Sequence, residues 1–238
     1  MIAFLYKVLW GYFGLGGVVI YIINKNKTEN FKNRNWLKYV VYLLIINSLF
    51  VSILIDSRYF AYLCFVIVGM GFYEIISNTL KTHKVKTGIF ISIFLGVFAY
   101  FFLRFSQLPQ NSLFYVLFMV TVFDAFSQLT GQLVGKKKLF QALSPNKTYA
   151  GLIGGYFMSI LTSIWIRDVL KMDIETAIVI GFLMATAAFL GDLLASYGKR
   201  TFGIKDYSRL IPGHGGFLDR FDSLLLGGVF FLFIAKQL

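Results

Sequence analysis

Eight continuous apolar runs constrain this chain more than anything else in it, at roughly 2–23, 37–55, 59–77, 88–105, 111–129, 149–168, 174–195 and 222–236. An α-helix needs about 17–25 apolar residues to cross the hydrocarbon core of a membrane, where no water satisfies a stray backbone group. The runs lack the apolar/polar alternation of a membrane barrel. The expected fold is therefore all-α, a polytopic transmembrane helical bundle of about eight spans. The eighth run is short for a span, so it is expected to tilt little or to begin before Asp222. No soluble domain, long linker, low-complexity segment or internal repeat interrupts the series, and residues 1–238 read as a single integral membrane domain.

The net charge of +12 would suggest nucleic acid in a soluble protein, but its distribution points elsewhere. The four odd-to-even connections carry 5, 3, 4 and 5 Lys and Arg. The others and the termini share only Lys7, Arg58, Arg104, Arg167, Lys171 and Lys236. The positive-inside rule puts the rich loops in the cytoplasm and both termini outside. The lysines of the polar loop from Asn24 to Lys38 suit anionic headgroups, with no nucleic acid required. Lys7 is too little charge for a signal-peptide n-region and no small-residue cleavage site follows, so the first run reads as a retained helix. Cys64, alone in the sequence, is expected to be a buried, inert thiol.

Residues 196–222, SYGKRTFGIKDYSRLIPGHGGFLDRFD, break the apolar pattern with five basic residues, three acids and one of the two histidines. Pro212-Gly213 signals a turn, and Gly213, Gly215 and Gly216 around His214 let a ligand approach the backbone. Lys199, Arg200, Lys205, Arg209 and Arg220 can neutralise phosphate oxygens, the arginines in forked contacts. Asp219 and Asp222 are three apart and share a face if the last helix begins here. Cations for phosphate and carboxylates for a hard metal in one loop suggest phosphoryl or nucleotidyl transfer with Mg²⁺. A plain basic loop touching headgroups would explain the lysines but neither the glycines nor the aspartates.

The same stretch resembles the C-terminal signature of phosphatidate cytidylyltransferases (CDP-diacylglycerol synthases): S-x-x-K-R, four residues, K-D-x-[GSA], then [LIF]-P-x-H-G-G-x-x-D-R-x-D. Ser196, Lys199, Arg200, Lys205, Asp206, Ser208, Ile211, Pro212, His214, Gly215, Gly216, Asp219, Arg220 and Asp222 fall in register. Gly198 departs from it, standing where a bulky apolar residue is usual, and is expected to loosen the helix end.

Upstream, Asp124 lies inside an apolar run, where a charge costs ~2.5–3.5 kcal/mol on insertion scales and is usually functional. Gln128, Ser127 and Thr130 extend its polar side. Ser144-Pro145-Asn146-Lys147-Thr148 can be read as a phosphate loop opening a helix, with N–H groups aimed outward. The segment from Asp124 to Gly155 is similar to the family's upstream block, an intramembrane Asp, two spaced glycines, S-P-x-K-T and G-x-x-G-G. It departs at Ser127-Gln128 and at Tyr149-Ala150, which puts one substrate contact in doubt. Asp192 closes the seventh run, and a carboxylate at a helix C-terminus needs a compensating cation. In the family's GD-L-x-x-S pattern the Asp at this position ligates metal. Glu74 reads either as an intramembrane carboxylate with a role or as a solvated interfacial one, and His83 as an exposed loop residue.

The resemblance implies CTP + phosphatidate → CDP-diacylglycerol + pyrophosphate, in a bacterial (inner) cell membrane with the active-site loops cytoplasmic. Residues 1–110 would then hold the N-terminal helices, and 111–238 the catalytic helices and loops. The nucleophile would be a phosphomonoester oxygen with its second pKa near ~6, already largely anionic at neutral pH. What such a reaction needs is relief of repulsion between anions. Asp192 and Asp219 are expected as direct Mg²⁺ ligands, with Asp222 and Asp124 beside them. Lys199, Arg200, Lys205 and Arg220 would hold the triphosphate, and Ser144, Lys147 and Thr148 would reach phosphate from the other loop. Ser196, Gly215 and Gly216 would line the substrate site, with His214 orienting or contacting the leaving group. A second, monovalent ion such as K⁺ and a homodimer belong to the same expectation. The competing readings are a CTP-dependent polyprenol or phytol kinase, a CDP-archaeol synthase, a non-catalytic scaffold, and an ion-coupled transporter. The transporter would need discontinuous helices and repeat symmetry.

Overall fold

A computed structural model describes residues 2–25, 27–141 and 143–235. Each apolar run becomes a helix: α1 (Ile2–Asn24), α2 (Glu29–Ile55), α3 (Ser57–Thr82), α4 (Val85–Phe105), α5 (Gln110–Val134), α6 (Tyr149–Trp165), α7 (Ile174–Phe202) and α8 (Leu218–Ile234). Among the described residues, six of these, α1 to α5 and α7, are long and apolar enough to cross a membrane. α6 and α8 have 17 residues each, a rise of about 25 Å at 1.5 Å per residue, near the lower limit for a span. α8 begins four residues before Asp222, which recovers length for a run that is short in the sequence. Lys236 lies outside the described residues.

α5 is the axis of the bundle. From Leu113 to Phe123 every residue is buried, whichever side of the helix it occupies, as for a helix packed all round. α2, α6, α7 and α8 pack against it, while α3 and α4 close over α8 and α1 rests on α2. Glycines set the closest approaches. A Cβ on Gly191 of α7 would lie 2.5 Å from the Asp222 carbonyl oxygen, so α7 and α8 cross backbone to backbone at that point.

Several helices run past their apolar segments. α2 starts at Glu29, so most of the expected loop from Asn24 to Lys38 is a polar helical extension, with Glu29 in its first turn and paired to Lys32 at 2.7 Å. α7 continues to Phe202 and ends in a Schellman motif, with Gly203 at φ 80°, Gly203 N–H donating to Arg200 O and Ile204 N–H to Lys199 O, both at 3.0 Å. Gly198 therefore does not loosen this helix end. It makes room for the Tyr207 hydroxyl, which any Cβ there would strike.

One feature is not helical. Lys138–Phe140 (β1) and Ser144–Thr148 (β2) pair as an antiparallel hairpin that leads straight into α6. Its run of lysines and its Ser-Pro pair carry no period-two pattern, so the sequence reads as a loop there. Cys64 is buried and His83 is exposed as expected, His83 closing α3 in the left-handed region at φ 54°.

Candidate active site

The segment between α7 and α8 is shaped by a turn of its own and by side chains from α3 and α8. Ile211 to His214 form a type II turn: His214 N–H donates to Ile211 O at 3.0 Å, Pro212 occupies the second position and Gly213 the third at φ 75°. Ile211 N–H then bonds Gly215 O at 2.8 Å. The Asp219 carboxylate ties this turn to the start of α8. Its Oδ2 accepts from Tyr207 N–H at 2.8 Å and Gly216 N–H at 2.9 Å, and its Oδ1 pairs with Lys199 Nζ at 2.7 Å. The pair is buried, with side chains 13% and 4% exposed.

Asp219 was expected as a direct metal ligand. In this structure both its oxygens are engaged, its side chain is almost unexposed, and Lys199 is its counter-ion. The acid open to the surroundings is Asp192, whose side chain is 40% exposed. Lys147, carried on β2, places its ammonium 2.9 Å from Asp192 Oδ2, as an ion pair without the direction of a hydrogen bond, and 4.6 Å from the centre of the Phe189 ring. Ser196, buried one turn after Asp192, donates to Asp192 Oδ1 at 3.4 Å. Asp222 reaches the same place across the Gly191 crossing, and Asp124 enters from α5, held at 3.3 Å by Ser223 Oγ. Asp124, Asp192 and Asp222 are close enough for each to feel the others' charge. Among the described residues no three His, Cys, Asp or Glu are grouped tightly enough to enclose a metal by themselves.

The other expected residues separate into anchors and open cations. Thr148 is buried and caps α6, accepting from Gly151 N–H at 3.1 Å, so its hydroxyl oxygen serves the helix. Ser144 begins β2 and is half-buried. Arg200 bonds the carbonyls of Leu143 (3.3 Å) and Ile204 (2.9 Å), fastening the hairpin to the end of α7. Lys205 is exposed. Arg220 is exposed too and donates Nε–H to His214 O at 3.0 Å, which leaves the terminal nitrogens of its fork for an anion. The His214 imidazole lies over Tyr42 of α2, with ring centroids 6.3 Å apart. Burial first, then the charges of Arg220 and Lys38, lower its pKa to about 4. Gly215 at φ 86° and Gly216 are close-packed, since a Cβ on them would meet Asp219 and Glu74 respectively.

Three residues escaped the sequence. Tyr42 shares a narrow crevice between α2, α5 and α8 with Asp124 and Arg220. Tyr207 is buried, with its hydroxyl donating to Ala195 O at 3.2 Å. Asn78 is buried one turn after Glu74 on α3, and that polar i, i+4 pair inside an apolar span was the available signal. Glu74 is not solvated: it is 0% exposed and bonded to the loop. Beside the turn, α2, α3, residues of the 210–217 segment and Phe221 line an apolar groove of about 290 Å³.

A family model described as the cytidylyltransferase family matches residues 26–238. A protein named phosphatidate cytidylyltransferase from Staphylococcus aureus (strain COL) is 39% identical over 129 residues, 52% of this chain and 50% of that one. One of the same name from Staphylococcus epidermidis (strain ATCC 12228 / FDA PCI 1200) is 40% identical over 129 residues, with the same coverage. Another, from Bacillus subtilis (strain 168), is 30% identical over 174 residues, 71% of this chain and 65% of that one. The chain spans about half the length of the first of these relatives.

Proposed function

Because the chain belongs to the cytidylyltransferase family, we propose that it transfers CMP from CTP to phosphatidate, giving CDP-diacylglycerol and pyrophosphate. The observation that carries this reading is the meeting of Lys147 from the hairpin with Asp192 of α7, beside Asp222 and Asp124. Polar loops from distant parts of the chain converge there on one end of an apolar bundle. The apolar groove beside the 211–214 turn suits the acyl chains of a lipid, and Arg220, next in the chain to its lining residue Phe221, would take the phosphate.

In this reading a phosphate oxygen of phosphatidate attacks the α-phosphorus of CTP, and the bond to pyrophosphate breaks. The attacking oxygen is already largely anionic (second pKa about 6), so no strong base is required. Arg220 and Lys205 would draw the anions together and bear the charge that grows on the departing pyrophosphate. Lys147 would exchange Asp192 for phosphate when CTP binds. His214, whose pKa is lowered to about 4, is a neutral hydrogen-bonding group at the pH of the cell. Mg²⁺ is part of the proposal. Asp192 and Asp222 would hold it with Asp124 behind them, a hard-oxygen set left incomplete for phosphates and water to fill. Bound there, it would offset the negative charge of the phosphates. A second, monovalent ion and a homodimer belong to the same proposal.

The positive-inside pattern supports a bacterial inner membrane with these loops cytoplasmic and both termini outside. Continuous helices favour this reading over a transporter. Purified protein with labelled CTP and phosphatidate tests it. CMP appearing in lipid is the expected result; phosphate transfer alone would place the chain with the lipid kinases, and no CTP-dependent product would end the proposal.

A further inference from the structure

Glu74 and Asn78 sit one turn apart on α3, far in sequence from the loop between α7 and α8, and both are buried. Glu74 Oε1 accepts from Ser208 Oγ at 2.5 Å and Phe217 N–H at 2.8 Å, and Oε2 accepts from Leu218 N–H at 3.0 Å. Asn78 Nδ2 donates to Tyr207 O at 2.7 Å and to Glu74 O at 2.8 Å. One face of α3 therefore grips both ends of the loop, at 207–208 and at 217–218.

The grip answers a specific need. The first N–H groups of a helix have no intrahelical acceptor, and α8 has no side-chain cap of its own, because Phe217 stands at that position. Glu74 supplies the cap from another helix, with the sign of charge that a helix N-terminus favours. Gly216 permits the approach, since a Cβ there would drive into the Glu74 carboxyl group. The residue after Leu218 is Asp219, whose oxygens fasten the middle of the loop and Lys199, and the next is Arg220.

We propose that Glu74, with Asn78, is a positioning residue. It caps α8 across the bundle and so fixes where Asp219, Lys199 and Arg220 stand relative to Asp192. It touches no reacting atom. Its contribution to turnover rests on the proposed cytidylyltransferase activity, whereas the grip on the loop does not.

The test uses the full chain in lipid nanodiscs, as wild type, Glu74→Gln and Ser208→Ala, with amide hydrogen exchange and CTP kinetics measured side by side. In Glu74→Gln the peptides covering 207–218 should exchange about tenfold faster, the scale of losing a buried acceptor, while those of α5 and α6 exchange as in wild type. The kcat/KM for CTP should fall by a similar factor. Ser208→Ala, which leaves α3 intact, should show a smaller increase confined to the same peptides. Unchanged exchange of the loop in Glu74→Gln overturns the clamp. If that variant exchanges faster everywhere, a uniform or absent increase in Ser208→Ala overturns it instead. Faster exchange of the loop with unaltered kcat/KM overturns the positioning role. A wild type without CTP-dependent turnover sinks the proposed activity, while the exchange result still decides the clamp.

Discussion

Lys147 Nζ lies 2.9 Å from Asp192 Oδ2, and this contact closes the hairpin onto α7 ten residues before that helix ends. The two side chains are unequally open, 17% against 40% exposed, so the acid faces the surroundings and the lysine is held against Phe189. Asp192 stands ten residues before the end of α7 at Phe202, beyond the reach of the helix's terminal partial charge, so the expected clash with the macrodipole does not arise. Lys147 is the cation that faces it in this structure.

Asp192→Asn should therefore act on function more than on the fold. The acid is 40% exposed but the Lys147 ammonium is buried, so the change should cost about 1–3 kcal/mol, less than for a pair buried on both sides, and the melting temperature of the detergent-solubilised protein should fall by several degrees. CTP turnover should fall by about a hundredfold or more if Asp192 holds the cation. Full turnover in Asp192→Asn would remove this residue from the site.

Asp219→Asn should behave in the opposite way. The change leaves the Lys199 ammonium buried without its partner, and breaking a buried pair typically costs about 3–5 kcal/mol. It also weakens an acceptor of two backbone N–H groups, those of Tyr207 and Gly216. Thermal melting together with limited proteolysis between α7 and α8 should show the loop loosened. If stability holds and only the dependence on Mg²⁺ changes, Asp219 is a metal ligand after all.

The sequence carried the bundle well, because continuous apolar runs permit few structures in lipid. It also marked the polar segment between α7 and α8, since the charges and glycines of 196–222 stand out against their surroundings. It could not say which acid does what. Asp219 and Asp192 look alike as letters, and only burial and partners separate a structural carboxylate from an open one. Glu74 shows the same limit. Its position late in an apolar run left an interfacial reading open, but the N–H groups at the start of α8, a long way off in the chain, draw its carboxylate inside. The hairpin was hidden because Lys136, Lys137 and Lys138 lack any alternating pattern, and Gly198 was misread because its partner, Tyr207, is close in space rather than in sequence.

Gly198 and Tyr207 should be energetically coupled. A Cβ on Gly198 would strike the Tyr207 hydroxyl, which itself bonds Ala195 O at 3.2 Å. Gly198→Ala should cost about 1–3 kcal/mol through overpacking, despite the better helix propensity of alanine. Tyr207→Phe loses one hydrogen bond, about 1 kcal/mol. With the hydroxyl gone the alanine fits, so the double variant should be more stable than the sum of the singles predicts, by about 1 kcal/mol or more in a thermal-melt cycle. Strict additivity would show that the two do not meet.

His214 sets the last expectation, in acid. Burial and the neighbouring charges of Arg220 and Lys38 bring its pKa down from 6.5 to about 4 in the folded protein. The unfolded chain, with the ordinary value, binds the proton more readily through this window. Stability from the neutral imidazole is thus fully present above about pH 6.5 and is lost as pH falls towards 4. Wild type should melt at a lower temperature at pH 5 than at pH 7.5, and His214→Gln, which cannot take up the proton, should show a smaller difference between the two. Because the imidazole stays neutral from pH 6 upward, the pH profile of CTP turnover should carry no limb near 6.5 that disappears in His214→Gln. Such a limb would mean that His214 is protonated in the working enzyme and stands in a more open setting than its stack on Tyr42 provides.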